Sequence, residues 1–248
     1  MPVTHPDRFA PPIPVPYRPA PWNWPDGDIA YMVAEQANDG DPSMRSDILP
    51  GATLPDYELP DHTRTMRKLS ELQGDDPMIL TLARGHYCPK EHQQHLELAA
   101  FYPKIAVGYT RIVTISTDVH HTSQEFRASV GAQWPFLSDP DRIVQQDLEI
   151  QEYTDPTNDP MIPHTLVLKP GLVIHRIYNG YWFWGRPSVV DLWHDLREVS
   201  SQIRPDWDLS APNLRERWDR GDLAPFHGWN KRPGEKPPRP PTRRKAKR

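Results

Sequence analysis

Apolar residues along the chain gather into short blocks of two kinds. Met78-Ile79-Leu80-Thr81-Leu82-Ala83 and Ile112-Val113-Thr114-Ile115 are runs of strand length containing β-branched residues, and both read as strands. The segments between such runs carry Glu, Gln, Leu and Ala in helix-forming proportion. Further on, Thr165–Leu168 and Leu172–Tyr178 flank Lys169-Pro170-Gly171, whose turn-forming Pro-Gly predicts a β-hairpin. Pro187-Ser188 then opens a helix in which Ser188 and Asp191 have capping-box spacing. Val189, Leu192, Trp193, Leu196, Val199 and Ile203 give that helix one apolar face. The order β-α-β-α, hairpin, α predicts an α/β domain with a central mixed sheet and helices on both faces.

Both ends of the chain break this pattern. Nine of residues 1–25 are Pro, and APWNWPDGD (20–28) adds Trp22 and Trp24. Residues 1–50 therefore read as a Pro-rich arm of polyproline-like conformation, with its indoles packed on the body or on another subunit. Residues 206–230 read as a C-terminal extension, and 231–248 (KRPGEKPPRPPTRRKAKR) as a disordered basic tail.

Charge sharpens the division. The tail holds nine Lys or Arg and one Glu, so it carries +8 of a total of -4 and leaves -12 on residues 1–230. Such a tail is either a solubilising end or a handle for nucleic acid, an acidic lipid surface or an acidic neighbour. In 248 residues with 37% hydrophobic content there is material for one core, and no apolar run has the length of a signal peptide or membrane span. A cytoplasmic location is expected. The single cysteine, Cys88, rules out an intrachain disulfide framework and fits a reducing compartment.

Cys88 stands just after the strand at 77–83 and before Pro89, a residue favoured at the first position of a helix. A thiol at a helix N-terminus is biased toward thiolate, and Arg84, His86 and Lys90 add nearby positive charge. The alternative for a lone cysteine is a buried, inert side chain packed as a small hydrophobe.

Three stretches favour the reactive reading. LPDYELPDH (54–62), YCPKE (87–91) and WPFLSDPDR (134–142) resemble, in that order, the N-terminal strand, the C-P-x-E motif and the F-P-x-L-S-D segment of the peroxiredoxins, the alkyl hydroperoxide reductase and thiol-specific antioxidant family. The resemblance spans about 54–200 and implies a thioredoxin-like redoxin domain over 51–205. It implies that Cys88 reduces a hydroperoxide, passes through a sulfenic acid and is restored by an external low-molecular-weight thiol or thioredoxin-type reductant, with no cofactor. A homo-oligomer is compatible with it, and no membrane insertion is expected from the apolar pattern. Glu91 matches the family's C-P-x-E glutamate and is expected to orient Arg84 or an equivalent cation. IPHTLVLKPG (162–171) is similar to the thioredoxin-fold loop in which a cis-proline, here Pro163, faces the active-site cysteine.

The chain also departs from the family. The hydroxyl residue three before the cysteine falls on Gly85, the proline seven before it falls on Thr81, and the late arginine falls near Pro163. Arg84-Gly85 instead resembles a subgroup carrying R-G-x-x-C-P-x-C, whose second cysteine is Glu91 here. Arg84 is the expected substitute cation, with Gly85, His86, Pro163 and His164 forming the substrate loop and the two histidines available as proton shuttles.

Two rival readings stay open. Cys88, His92 and His95 are spaced i, i+4, i+7 on one helix face, a Cys/His set that could bind a transition metal with His120 or His121. The other is a redox-inert interaction module that keeps the fold and has lost the chemistry. The aromatic run YNGYWFWGRPS (178–188) is expected to pack as core beneath a loop, rather than to line a substrate pocket or a dimer face.

Overall fold

A computed structural model describes residues 44–180, 183–208 and 210–222. The arm up to residue 43, the tail at 231–248, Tyr181 and Trp182 lie outside the described residues. In chain order, β1 (Glu58–Pro60) and β2 (Met66–Lys68) form a small antiparallel pair ahead of α1 (Leu69–Gln73). The alternating part follows as β3 (Met78–Ala83), α2 (Pro89–Val107), β4 (Arg111–Ser116), α3 (His120–Ser129), β5 (Phe136–Ser138) and α4 (Ile143–Asp147). The hairpin of β6 (His164–Lys169) and β7 (Val173–Asn179) comes next, then α5 (Val189–Ile203) and α6 (Pro212–Asp219).

Five strands make one sheet in the order β5-β4-β3-β6-β7, parallel from β5 to β3 and antiparallel from β3 through β6 to β7. The predicted mixed sheet is thus present. Every residue of central β3 is buried, and its side chains alternate between two cores. Met78, Leu80 and Leu82 join Leu69 of α1 and Val144 of α4 on one face. Ile79 and Ala83 join Leu98 and Phe101 of α2, Phe126 of α3 and Leu192 of α5 on the other. Helices therefore cover both faces, as the pattern predicts. Met44 and Ile48, ahead of the expected boundary at 51, are buried in the first core, and Leu214 of α6 is buried too.

The predicted cap of α5 forms in full: the Asp191 N–H donates to Ser188 Oγ at 3.2 Å, and the Ser188 N–H to Asp191 Oδ2 at 2.8 Å. Leu192, Leu196 and Val199 are buried, but Trp193 sits at the rim of that face, 43% exposed, with Lys104 Nζ 5.4 Å from its ring centroid. The aromatic run divides: Tyr178 packs against the second core as expected, its hydroxyl donating to Asp195 Oδ2 at 2.7 Å, and Trp184 does not. Trp184 is 89% exposed, because the 3-10 turn Phe183–Gly185 carries it off the end of the sheet to the surface.

Strand direction decides where loops meet. β3 and β4 end at the sheet edge where antiparallel β6 begins, since Leu82 pairs with His164, and β7 ends there too, since His164 pairs with Asn179. The loops at 84–88, 117–119 and 151–163 and the described residues that follow β7, 180 and 183–188, therefore converge on one edge, and Cys88 lies among them.

Candidate active site

Cys88 is the N-cap of α2, with extended backbone (φ -89°, ψ 115°) and Pro89 at the first helical position. Its carbonyl accepts the N–H groups of Glu91 at 3.1 Å and His92 at 3.3 Å, which fixes the thiol at the positive end of a 19-residue helix. Cys88 is 2% exposed. The predicted position is correct, and the sulfur is buried there.

The guanidinium of Arg84 reaches the sulfur. Nη1 donates to Sγ at 3.8 Å, while Nη2 donates to Glu152 Oε1 at 3.0 Å and to Asp155 Oδ2 at 3.3 Å; Nε lies 2.7 Å from Glu152 Oε2. Below it lies the Tyr87 ring, 5.5 Å from Arg84 Cζ to the centroid, and the Tyr87 hydroxyl donates to Asp155 Oδ2 at 2.9 Å. Burial, followed by this hydrogen bond to a carboxylate, pushes the phenol well above its ordinary range. Asn158 amide donors hold Asp155 below the ordinary carboxylate value.

Glu91 takes a different cation from the Arg84 expected. Its carboxylate, 1% exposed, pairs with Arg186, 4% exposed, from the loop between β7 and α5, and receives only the backbone N–H of Arg84, at 3.4 Å. Arg186 also donates from Nε to Gln94 Oε1 at 3.0 Å and from Nη1 to the Gly180 carbonyl at 3.0 Å. A side chain at Gly180 would put Cβ 2.9 Å from Arg186 Cγ, so that glycine makes room for the arginine. The late arginine, which the sequence lacks near Pro163, thus has a counterpart beside Glu91 that arrives 23 residues later.

Gly85 has φ +124°, and a Cβ there would stand 2.8 Å from Asp118 Oδ1. That carboxylate accepts the His86 N–H at 2.9 Å and the Ser116 hydroxyl at 3.0 Å, and burial raises its pKa. The family's hydroxyl side chain is therefore excluded at 85 by conformation and by contact. The His86 ring packs 5.1 Å from His92 and 5.9 Å from Phe126, and the His86 carbonyl accepts His92 Nε2–H at 2.8 Å.

Pro163 corrects a second expectation. No peptide bond is cis among the described residues, so Ile162-Pro163 is trans. The segment is extended, with the Ile162 N–H on the Ile150 carbonyl at 2.7 Å and the Pro163 carbonyl on the Gly180 N–H at 2.7 Å, and nothing opposes the ordinary trans preference. Pro163 is buried, adjoining the end of β3 through the pairing of Leu82 with His164. His164 is 2% exposed, its Nδ1–H donated to the Ile162 carbonyl at 2.8 Å, which removes it from the solvent contact a proton shuttle needs.

The metal reading loses its geometry. Among the described residues, no group of three or more His, Cys, Asp or Glu could hold a metal ion. His95 is fully buried, donating from Nδ1 to the Glu91 carbonyl at 2.8 Å and accepting at Nε2 from the Thr114 hydroxyl at 3.1 Å. His120 Nε2 donates to the His62 carbonyl at 3.1 Å, and His121 is paired at the surface with Glu125. A cavity of about 520 Å³ lies at the opposite end of the sheet, lined among others by Arg67, Tyr109, Arg111 and Trp134, and includes none of the predicted site residues.

The residues that sequence reasoning missed are Arg186, Glu152, Asp155 and Asp118. Each sits on a loop far from Cys88 in sequence, and the glycine at 85 was the one local trace of Asp118.

Comparison with known proteins supplies the context. The family model described as AhpC/TSA family matches residues 50–177. Two Mycobacterium tuberculosis proteins bearing a peroxiredoxin name, from strains CDC 1551 / Oshkosh and H37Rv, are each 35% identical over 92 residues. The matched region is 36% of this chain, and the chain spans 58% of the length of these curated relatives. The crystal structure of peroxidoxin BcpB from M. tuberculosis matches with TM-score 0.52 and 21% identity, over 61% of this chain and 96% of that one. Enterococcus faecalis AhpC matches with TM-score 0.53 and 14% identity, over 64% and 95%. The architecture is the thioredoxin-like fold that the motifs predict.

Proposed function

The chain belongs to the AhpC/TSA family, and from that premise we propose that it is a thiol peroxidase of the one-cysteine kind. Cys88 attacks one oxygen of a hydroperoxide as thiolate; the S–O bond forms as the O–O bond breaks, and the departing oxygen takes a proton and leaves as water or alcohol. The sulfur is left as sulfenic acid. As the chain has one cysteine, an external thiol displaces water to give a mixed disulfide, and a second thiol releases Cys88 and departs as disulfide. That thiol is a low-molecular-weight compound or a thioredoxin-type protein, in the cytoplasm. No cofactor takes part.

The observation that carries this reading is the contact of Arg84 Nη1 with Sγ at 3.8 Å, made at the N-cap of a long helix. A cation and a helix dipole both favour negative sulfur, and the same cation can receive the negative charge that grows on the departing oxygen. Arg186 serves as the cation that Glu91 holds, and Gly85, His86 and Pro163 form the wall on which the peroxide rests.

Trapping with dimedone after brief exposure to peroxide tests the proposal. Cys88 should be labelled in the native protein faster than a free thiol reacts, and Cys88→Ser should remove the label together with thiol-dependent peroxide turnover. The burial of Cys88 favours a second reading, the redox-inert interaction module, under which labelling is no faster than that of a free thiol.

A further inference from the structure

The Arg84 guanidinium is turned toward the sulfur by one short segment. Glu152 and Asp155 both lie in the loop between α4 and β6, with side chains 21% and 20% exposed, matching the 20% of Arg84. The base of that loop is closed by the bridge between Gln151 and Met161 and by the Glu152 N–H on the Pro160 carbonyl at 3.0 Å. Asp155 is fixed in turn by the amide of Asn158 at 3.0 Å and the hydroxyl of Tyr87 at 2.9 Å. Farther along, Asp159 pairs with Arg142 and accepts from Gln151 Nε2 at 2.8 Å. Asp155 is therefore held by its own network, and Glu152 by its anchored backbone and by the Thr154 hydroxyl donating to Oε1 at 2.8 Å, contacts that do not involve Arg84.

An arginine has several rotatable bonds and costs about 2 kcal/mol of conformational entropy to fix. Glu152 spans Nε and Nη2, Asp155 takes the outer side of Nη2, and the Tyr87 ring supports the guanidinium plane. Nη1 is the corner left to point at Sγ, and it does. We propose that Glu152 and Asp155 are positioning residues that aim Arg84 at the Cys88 sulfur, the task for which Glu91 is the candidate by sequence. This inference rests on the peroxidase reading for its purpose, though not for its geometry.

The test is a mutant cycle read by two reactions of Cys88: oxidation by hydrogen peroxide, and alkylation by iodoacetamide. Glu152→Gln with Asp155→Asn should slow both roughly tenfold, the worth of a charge-assisted contact, and Arg84→Gln should do the same. Combining all three changes should be no slower than Arg84→Gln alone, because a pair that acts through Arg84 has nothing left to aim. Glu152→Asp, which keeps the charge, should retain most of the rate, and circular dichroism of every variant should match the native protein. Losses that add in the combined variant, or rates unchanged on removing the two carboxylates, overturn the proposal. Peroxide reactivity no greater than that of a free thiol, with the alkylation cycle still non-additive, overturns the peroxidase reading and leaves this one standing.

Discussion

On one side of the first turn of α2, Arg186 and Glu91 meet with side chains 4% and 1% exposed; on the other, Arg84 meets Glu152 and Asp155 with side chains 20%, 21% and 20% exposed. The chemistry of the two clusters is the same and their surroundings are not. In the buried cluster every charge has lost its water, so the pair is sound only while both partners and the acceptors on Gln94 and Gly180 are present. The partly exposed cluster keeps water at hand, which lowers the cost of changing a partner. Under the proposed peroxidase reading, a cation that answers to thiol, thiolate and sulfenic acid in turn belongs in the second setting, and that is where the arginine touching sulfur is found.

The largest expected effect breaks the buried side. Arg186→Met leaves the Glu91 carboxylate in the interior without its cation and should cost about 3–5 kcal/mol in urea unfolding. A loss below about 1 kcal/mol would mean that Glu91 reaches water, and the two clusters would then be alike. Next comes Gly85→Ala, at about 1–3 kcal/mol, from the φ of +124° and the 2.8 Å approach to Asp118. Measured against an Asp118→Ala background, which already lacks the carboxylate and its two hydrogen bonds, the same change should cost only the backbone part.

A third prediction concerns pH, and His95, whose Nδ1 lies 3.9 Å from Glu91 Oε2 on the buried side. Burial holds its imidazole below the usual value, so the folded ring stays neutral while the unfolded ring titrates near 6.5. Below about pH 6.5 the unfolded chain binds a proton that the folded chain refuses, and stability falls as pH falls through that value. His95→Gln removes this contribution, so between pH 7 and 5 the variant should lose up to about 2 kcal/mol less than the native protein. Equal pH slopes would mean that His95 takes up a proton without unfolding.

What the sequence made legible is what is written locally. The strands at 78–83 and 112–115, the Pro-Gly hairpin and the Ser188-Asp191 cap are short-range signals, and so is the position of Cys88, because Pro89 marks where α2 begins. The partners of the site were not legible. Arg186, Asp118, Glu152 and Asp155 meet Cys88 and its neighbours only because β3, β4, β6 and β7 present their loops at one edge, and strand register leaves no trace in any single segment. Helical spacing correctly put His92 and His95 on one face with Cys88, but spacing does not say what lies opposite. Phe126 and Phe136 pack against His95, at 4.8 Å and 5.4 Å between ring centroids, where a metal site would need ligands. The cis bond at Pro163 was inferred from likeness to a loop, and pairing with β7 keeps that segment extended instead.

The smallest expected effect sharpens the comparison from the exposed side. Glu152→Gln should change stability by no more than about 1 kcal/mol, since the charges it separates are partly solvated. Salt then distinguishes the clusters without mutation. Raising ionic strength from roughly 0.01 M to 1 M shortens the screening length from about 30 Å to about 3 Å, which weakens contacts that ions can reach and hardly touches those they cannot. Alkylation of Cys88 by uncharged iodoacetamide should therefore slow with salt in the native protein, because Arg84 loses part of its hold on Glu152, Asp155 and the sulfur together. In Arg84→Gln that dependence should vanish, as the buried pair of Arg186 and Glu91 lies beyond the reach of ions. A salt dependence that survives Arg84→Gln would place the responsive charge elsewhere, and the division between a wet, adjustable cluster and a dry, fixed one would fail.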